Sequence, residues 1–141
     1  IQHAGLVIGL GGHIASHYDH KKHKDYPGYM NRLYHVQNYN AVTAACMMIS
    51  KDNYCKVNGM DEDNFKVALN DVDLCLKLRE LGKLNVFTPF AELYHYESKT
   101  RGDDIKGENK ERYKREITHF KKKWKKYFEL GDEYHNINLD V

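Results

Sequence analysis

The sequence predicts a single α/β domain, because short apolar runs alternate with amphipathic helical segments along the chain. One apolar run lies near the start, at residues 4–10 (AGLVIGL), and another at residues 41–50 (AVTAACMMIS). Helical spacing of apolar residues marks residues 70–82 and 109–128. A chain of 141 residues suits one domain that removes roughly 70% of its unfolded surface from water.

The first half of the chain predicts two strands joined by a long loop. Residues 4–10 form a strand that ends at Gly11-Gly12. Residues 13–35 are rich in His, Lys, Tyr and Gly and predict a loop, of a length that is usually functional or disordered. Residues 41–50 are small or apolar throughout, which is typical of a fully buried strand.

The middle of the chain is predicted to form two helices followed by a short extended segment. Residues 51–57 form a short helix that ends at Asn58-Gly59. Asn70 or Asp71 caps the next helix, which runs to Gly82. Residues 84–95 predict two extended pieces split by Pro89, since proline cannot sit centrally in a paired strand.

The last element is a C-terminal amphipathic helix, assigned to residues 109–129. Its apolar residues recur at steps of three and four, which is the spacing of one helix face. They are Tyr113, Ile117, Phe120, Trp124 and Tyr127 or Phe128.

Composition excludes several classes of protein. The formal net charge of +2 is too small for a dedicated nucleic-acid-binding domain. No apolar run approaches the eighteen or so residues that cross a bilayer. Three cysteines without zinc-like spacing predict reduced thiols in a cytosolic protein. The chain begins at Ile1 with a strand pattern close behind, so we expect a fragment that starts inside a larger sheet.

The motif most suggestive of chemistry is Asn70-Asp71-Val72-Asp73 at the start of a helix. The helix dipole and free N–H groups there stabilise an ionised carboxylate, which suits it to accept a proton from a substrate hydroxyl. Asp71 and Asp73 lie about 200° apart on a helix, so both cannot face one site. The alternative is that both aspartates are only capping residues.

Four segments in order resemble the second half of family 2 glycosyltransferases of the GT-A fold, especially the rhamnosyltransferase-like branch of bacterial polysaccharide and O-antigen assembly in the cell envelope. The resemblance covers about residues 1–139. The segments are TAACMMIS, VNGMDE, ALNDVDLCLKLRELG and TPFAELYHYESKTRG.

This resemblance implies a fold and a catalytic base. The fold is the C-terminal half of a GT-A domain, a mixed sheet with flanking helices, with residues 1–141 forming the acceptor side and the nucleotide-binding half absent. The family commonly has Glu-Asp before the helix, with the Asp as general base. Asn70-Asp71 falls on that pair, so Asp71 is implied as the base, and Asn70 and Asp73 as supporting residues that contact substrate.

Thr43 and Ala44 are candidate acceptor contacts, since small side chains let a sugar approach the backbone. Close packing of a buried strand explains them equally well. His95 and Glu97 would point the same way on a strand, and their side chains suit Mn²⁺ or Mg²⁺. The alternative for His95 is a hydrogen bond in the core.

The segment after Glu97 resembles the flexible loop that closes over the sugar diphosphate in this family. Ser98 and Arg101 are its candidate donor-binding residues, and the planar Arg101 guanidinium suits a phosphate. The alternative is a solvated basic loop.

Two further patterns have simpler explanations. Four histidines, at positions 13, 17, 20 and 23, have helical spacing, but the flanking glycines and Pro27 argue against a helix that would bind a metal. The resemblance instead implies a loop over the acceptor cleft, where His13 or His17 would touch substrate. The lysines of residues 121–126 predict a solvated face, with contact to an anionic membrane surface as the alternative.

The expected function is therefore inverting transfer of a sugar, of hexosyl or rhamnosyl type, from a nucleotide-diphosphate sugar to a glycan or lipid-linked acceptor. We expect the isolated fragment to be inactive, to be cytoplasmic or at the inner face of the membrane, and to be capable of pairing with another copy. The alternatives are a non-catalytic glycan- or partner-binding module and a domain that binds membranes or RNA through the lysine-rich helix.

Overall fold

In a computed structural model, which describes residues 1–9, 13–96, 109–136 and 138–139, short strands and four helices surround two apolar clusters. The strands are β1 (Leu6–Ile8), β2 (Ala15–His17), β3 (Gln37–Tyr39) and β4 (Asn85–Phe87). The helices are α1 (Lys51–Lys56), α2 (Asn70–Glu80), α3 (Asn109–Lys123) and α4 (Lys125–Leu130). The α/β prediction is confirmed at this coarse level.

The strands form two separate antiparallel sheets, each of two strands. β1 pairs with β2 and places Val7 opposite Ser16. β3 pairs with β4 and places Asn38 opposite Val86. Among the described residues, a single bridge, Leu6 to Ala41, extends the first sheet. The described strands therefore do not form the mixed sheet expected from the sequence.

The prediction of a strand at residues 41–50 is wrong. After Ala41 the chain turns into a short 3₁₀ helix, Ala44–Cys46, and Ala45, Cys46 and Met48 are exposed. The reason lies in the backbone amides. The Ala44 N–H donates to the Asp71 carboxylate at 3.1 Å, and the Ala45 N–H donates to the Thr43 hydroxyl at 3.5 Å. These donors are consumed by side chains, which leaves no ladder for a neighbouring strand.

The long loop of residues 13–35 contains β2 and an irregular 3₁₀ segment, Tyr29–Tyr34. Strand β3 was not predicted. The second extended piece expected before residue 95 does not form, because only Asn85–Phe87 pair. Beyond β4, Phe90 is 82% exposed and Tyr94 is 91% exposed.

Both early helix predictions are confirmed. In α1 the Ser50 hydroxyl accepts the Asn53 N–H at 3.3 Å, and Asn58 and Gly59 end the helix with φ of 56° and 59°. Helix α2 reaches Glu80, and Gly82 follows with a φ of 72°. The N-cap of α2 differs from the prediction: Leu69 occupies it, with a left-handed φ of 63° and no side-chain cap.

The predicted C-terminal helix is broken in two. Trp124, with φ −109° and ψ 26°, separates α3 from α4. Its indole is 5% exposed and its Nε1–H donates to the buried carboxylate of Asp73 at 2.8 Å. The predicted inward orientation of Trp124 is therefore confirmed.

The larger apolar cluster joins β1, α2 and α3. Its buried members include Leu6, Ile8, Phe65, Leu76 and Phe120. The smaller cluster contains Val7, Tyr18, Leu33 and Tyr39 around β1 and β3. The backbone of Gly5 packs closely against the Tyr39 ring. Its φ is 103°, and an added Cβ would be 2.4 Å from that ring. Only glycine fits there.

Candidate functional site

The candidate site lies where the chain enters α2, and its centre is the partly buried side chain of Asp71. One carboxylate oxygen, Oδ2, accepts the Thr43 hydroxyl at 3.2 Å and the Ala44 N–H at 3.1 Å. The other, Oδ1, accepts the Val72 N–H at 2.9 Å. A carboxylate has about four acceptor positions, so these three bonds leave one on Oδ1 for another hydroxyl.

Asn70 stabilises the same turn. Its Oδ1 accepts the Asp71 N–H at 2.7 Å, so the amide of the second helix residue is satisfied by the preceding side chain. Asn70, Asp71, Thr43 and Ala44 were predicted as site residues, and the structure brings them together through direct hydrogen bonds. Thr43 and Ala44 hold the carboxylate rather than forming a packed strand.

Asp73 faces the other way. Its side chain is 0% exposed, and its carboxylate lies 2.7 Å from the Lys123 Nζ and 3.5 Å from the Lys77 Nζ. This arrangement agrees with the expectation that Asp71 and Asp73 occupy different faces of the helix. The prediction that Asp73 contacts an acceptor is wrong, because its carboxylate has no open surface and instead joins α2 to α3.

His3 is a member of this site that sequence analysis missed. Its Nε2 accepts the Gly5 N–H at 3.3 Å and the Thr43 N–H at 3.4 Å. Since Nε2 is the acceptor, Nδ1 carries the proton, and we assign it as the donor to the His17 Nδ1 at 3.2 Å. No pattern in the sequence connects residue 3 with residue 43, so only the fold could reveal this contact.

Burial, with a smaller contribution from His17, lowers the pKa of His3 to about 4. The imidazole is therefore neutral at physiological pH, as its role of hydrogen-bond acceptor requires. His3 holds the backbone of Thr43, and Thr43 in turn holds the Asp71 carboxylate.

The histidines of the first loop do not share a helix. His17 belongs to β2, and its ring lies 5.6 Å from the ring of His20. His13 is exposed, and the exposed His23 lies 3.3 Å from the Asp25 carboxylate. Of the two histidines predicted to touch substrate, His13 and His17, only His17 forms the described hydrogen bond to His3.

The residues expected to bind metal and donor are only partly described. His95 is exposed, whereas Glu97, Ser98 and Arg101 lie outside the described residues. Within the described ranges, no group of three or more His, Cys, Asp or Glu side chains is placed to hold a metal ion.

The three cysteines are free thiols, with Cys46 and Cys55 exposed and Cys75 buried. Burial raises the pKa of the Cys75 thiol to about 12, which makes it an apolar packing group rather than a nucleophile.

The lysine-rich segment is less open than its sequence indicates. Lys123 is bound to Asp73 and Asp61, Lys125 lies 2.9 Å from Glu129, and Lys126 is paired with Glu80. In the part of the chain that the structure describes, no helix is both long and apolar enough to span a bilayer.

Comparison with known proteins gives partial relatives. Over 139 residues the chain is 46% identical to "Uncharacterized protein y4gI" of Sinorhizobium fredii, covering 99% of this chain and 15% of that protein. It is 30% identical over 104 residues to the O-antigen biosynthesis protein RfbC of Myxococcus xanthus, covering 74% of this chain and 8% of the relative.

A third relative is the N-acetylglucosaminyl-diphospho-decaprenol L-rhamnosyltransferase of Mycobacterium tuberculosis, 32% identical over 63 residues, which are 45% of this chain and 20% of that enzyme. The chain thus spans a fifth or less of each relative. No protein-family model and no solved structure matches it. These partial similarities support a glycosyltransferase-like relationship.

Proposed function

We propose that this chain supplies the acceptor side and the catalytic base of an inverting glycosyltransferase that uses a nucleotide-diphosphate sugar. The observation that carries the proposal is the Asp71 carboxylate, fixed by three donors at a helix start with one acceptor position left on Oδ1. The partial similarity to proteins named for O-antigen biosynthesis and rhamnosyl transfer supports it.

In the proposed reaction the acceptor hydroxyl donates a hydrogen bond to Asp71 Oδ1. As its oxygen attacks the anomeric carbon, the proton passes to the carboxylate. The bond from that carbon to the diphosphate breaks, and the nucleoside diphosphate leaves with the bonding electrons. Attack from the face opposite the leaving group inverts the configuration.

The hydrogen bonds around Asp71 orient it for this step. A general base must lie within hydrogen-bond reach of the proton that it abstracts, and the two donors on Oδ2 leave Oδ1 as the oxygen with an acceptor position to spare. The neutral His3 holds that segment in place through the Thr43 amide. These residues position the base without competing for the proton.

For the donor we propose binding by Ser98 and Arg101, together with a nucleotide-binding segment outside this chain. A divalent cation, Mn²⁺ or Mg²⁺, would neutralise charge on the leaving diphosphate. We propose His95 and Glu97 as the ligands of this cation within the chain. The described residues do not form a complete metal site, so further ligands would have to come from elsewhere, and no step above depends on the metal.

The test is turnover of sugar nucleotides by the longest natural protein that contains these residues, compared with its Asp71→Asn variant. Asparagine preserves the volume but is a far weaker base, so turnover should fall by about 10²–10⁴-fold, the usual contribution of a general base. Asp52→Asn, which removes an exposed carboxylate from the first turn of α1, should leave turnover unchanged. Full activity of Asp71→Asn would exclude this residue as the base.

A further inference from the structure

A cationic cleft lies between residues 63–66 and one face of α3, apart from the Asp71 site. It has two adjoining lobes of about 240 Å³ and 360 Å³, which share Arg115 and His119. None of the hydrogen-bond partners of Asp71 lines either lobe.

The charge of the cleft follows from helical spacing. Arg112, Arg115, His119 and Lys122 stand at steps of three, four and three along α3, so they occupy one face of the helix. Two further lysines contribute to the lining, Lys66 from the facing loop and Lys114 from α3. Five arginine and lysine side chains and His119 therefore line the cleft, and one of them, Lys114, lies 3.0 Å from Glu111.

The negative side chains in the cleft do not cancel this charge. Glu116 is 2% exposed, accepts the Ala68 N–H at 2.9 Å and lies 3.6 Å from the Arg112 Nη1. Its charge is therefore already compensated by one arginine and one amide. Asp63 is the other carboxylate in the lining and is exposed.

The cleft has a rigid wall. The ring of His119 packs edge-on against Phe65 at 5.3 Å, and Phe65 is buried in the larger apolar cluster. Arg115, on the same helix as His119, is exposed, and its charge interacts with that of Glu111. Its planar fork of donors can bind two oxygens of one anion.

We propose that this cleft binds a diphosphate group, with one phosphate in each lobe and the shared Arg115 and His119 between them. A multiply charged anion gains from several cations at once, whereas a single carboxylate would satisfy only one arginine. The volumes of the lobes are near the lower end of the range for small-ligand pockets, roughly 300–1,000 Å³, which fits a compact anion. The proposal does not depend on glycosyl transfer.

The test is a calorimetric titration of the 141-residue chain with inorganic pyrophosphate in metal-free buffer. Saturable binding is expected, and Arg115→Gln should weaken it at least tenfold. A matched pair of neighbouring lysines supplies the control: Lys122→Gln, inside the cleft, should weaken binding, and Lys121→Gln, outside it, should change it less than twofold. Circular dichroism of each variant verifies the fold.

A second arm distinguishes a lipid headgroup from a free diphosphate. Binding to vesicles of phosphatidylglycerol that pyrophosphate displaces, and that Arg115→Gln abolishes, would show that the same cleft accepts membrane phosphates. Failure to bind pyrophosphate, or equal weakening by Lys121→Gln and Lys122→Gln, overturns the proposal. Undiminished pyrophosphate binding by Asp71→Asn is expected, because the two sites share no residue.

Discussion

At the scale of single residues, the protonation state of His3 couples the site to pH. The Nε2 of His3 accepts two backbone N–H groups, and a proton placed there would break both bonds. The same burial that makes this imidazole a good acceptor makes its protonation costly.

We expect the free energy of unfolding to decrease as pH falls from 6.5 to about 4. The pKa of His3 is lowered to about 4 in the folded chain, so the unfolded chain takes up the proton first and is favoured. The full effect is on the order of 3 kcal/mol. Urea unfolding at pH 7 and pH 5 should show a smaller pH dependence for His3→Gln than for the natural chain.

The control is His35→Gln, which removes an exposed imidazole and should retain the natural pH dependence. An equal loss of stability in His3→Gln and the natural chain between pH 7 and pH 5 would contradict the assignment of a buried neutral His3.

Sequence reasoning at this scale depended on local signals. Asp71 was named because a carboxylate at a helix start has a known electrostatic environment, and the structure places it in the first turn of α2. The partners of Asp71 from residues 43 and 44 were named for their small size, although their role is to donate hydrogen bonds. His3 was missed because its contact with Thr43 spans forty residues and leaves no periodicity.

At the scale of elements, the start of α2 is strained. Leu69 has a φ of 63°, a left-handed conformation that costs a non-glycine residue roughly 1–2 kcal/mol. It directly precedes Asn70-Asp71, and strain of this kind concentrates at functional sites. The conformation allows the Leu69 carbonyl to accept the Asp73 N–H at 2.8 Å while Asp71 turns toward Thr43.

We expect Leu69→Gly to be more stable than Leu69→Ala by about 1 kcal/mol. Both variants lose the packing of the leucine side chain against the larger apolar cluster, so their difference reports the backbone alone. At an ordinary helix position alanine would be the more stable variant. Guanidinium denaturation of the two variants measures the difference, and alanine being more stable would exclude a left-handed residue at position 69.

The elements that sequence reasoning predicted well are those with internal signals. Helix α2 has an apolar stripe and a glycine stop, and α1 ends at Asn58-Gly59, so both were located within a few residues. Residues 41–50 were misassigned because an apolar run fits a strand equally well, and the hydrogen bonds from Thr43 and Ala44 to Asp71 could not be deduced from it. β3 was missed because its residues pair with residues 46 to 50 positions further along the chain.

At the scale of the whole molecule, the buried Asp73 carboxylate joins α2 to the C-terminal helices. It accepts the Trp124 Nε1–H at 2.8 Å and lies 2.7 Å from the Lys123 Nζ. Removal of one partner from a buried charged contact leaves the others unsatisfied, which usually costs about 3–5 kcal/mol.

We expect Asp73→Ala to lower the free energy of unfolding by about 3 kcal/mol, since Lys123 remains partly hydrated. Trp124→Phe, which keeps a ring but loses the N–H donor, removes one hydrogen bond to a charged group, worth about 1.5–3 kcal/mol. Asp63→Ala, at an exposed position, should change stability by less than about 0.5 kcal/mol. Chemical denaturation measures all three, and an Asp73→Ala variant as stable as the natural chain would refute the role of this contact.

Phe120 and Trp124 fill a cluster whose other members, such as Leu6 and Ile8, come from the opposite end of the chain. During synthesis on the ribosome, β1 and α2 emerge long before the aromatic rings that cover them. Until those rings emerge, the apolar faces of β1 and α2 stay exposed to solvent. A product terminated before residue 120 would therefore be a substrate for chaperones and proteases.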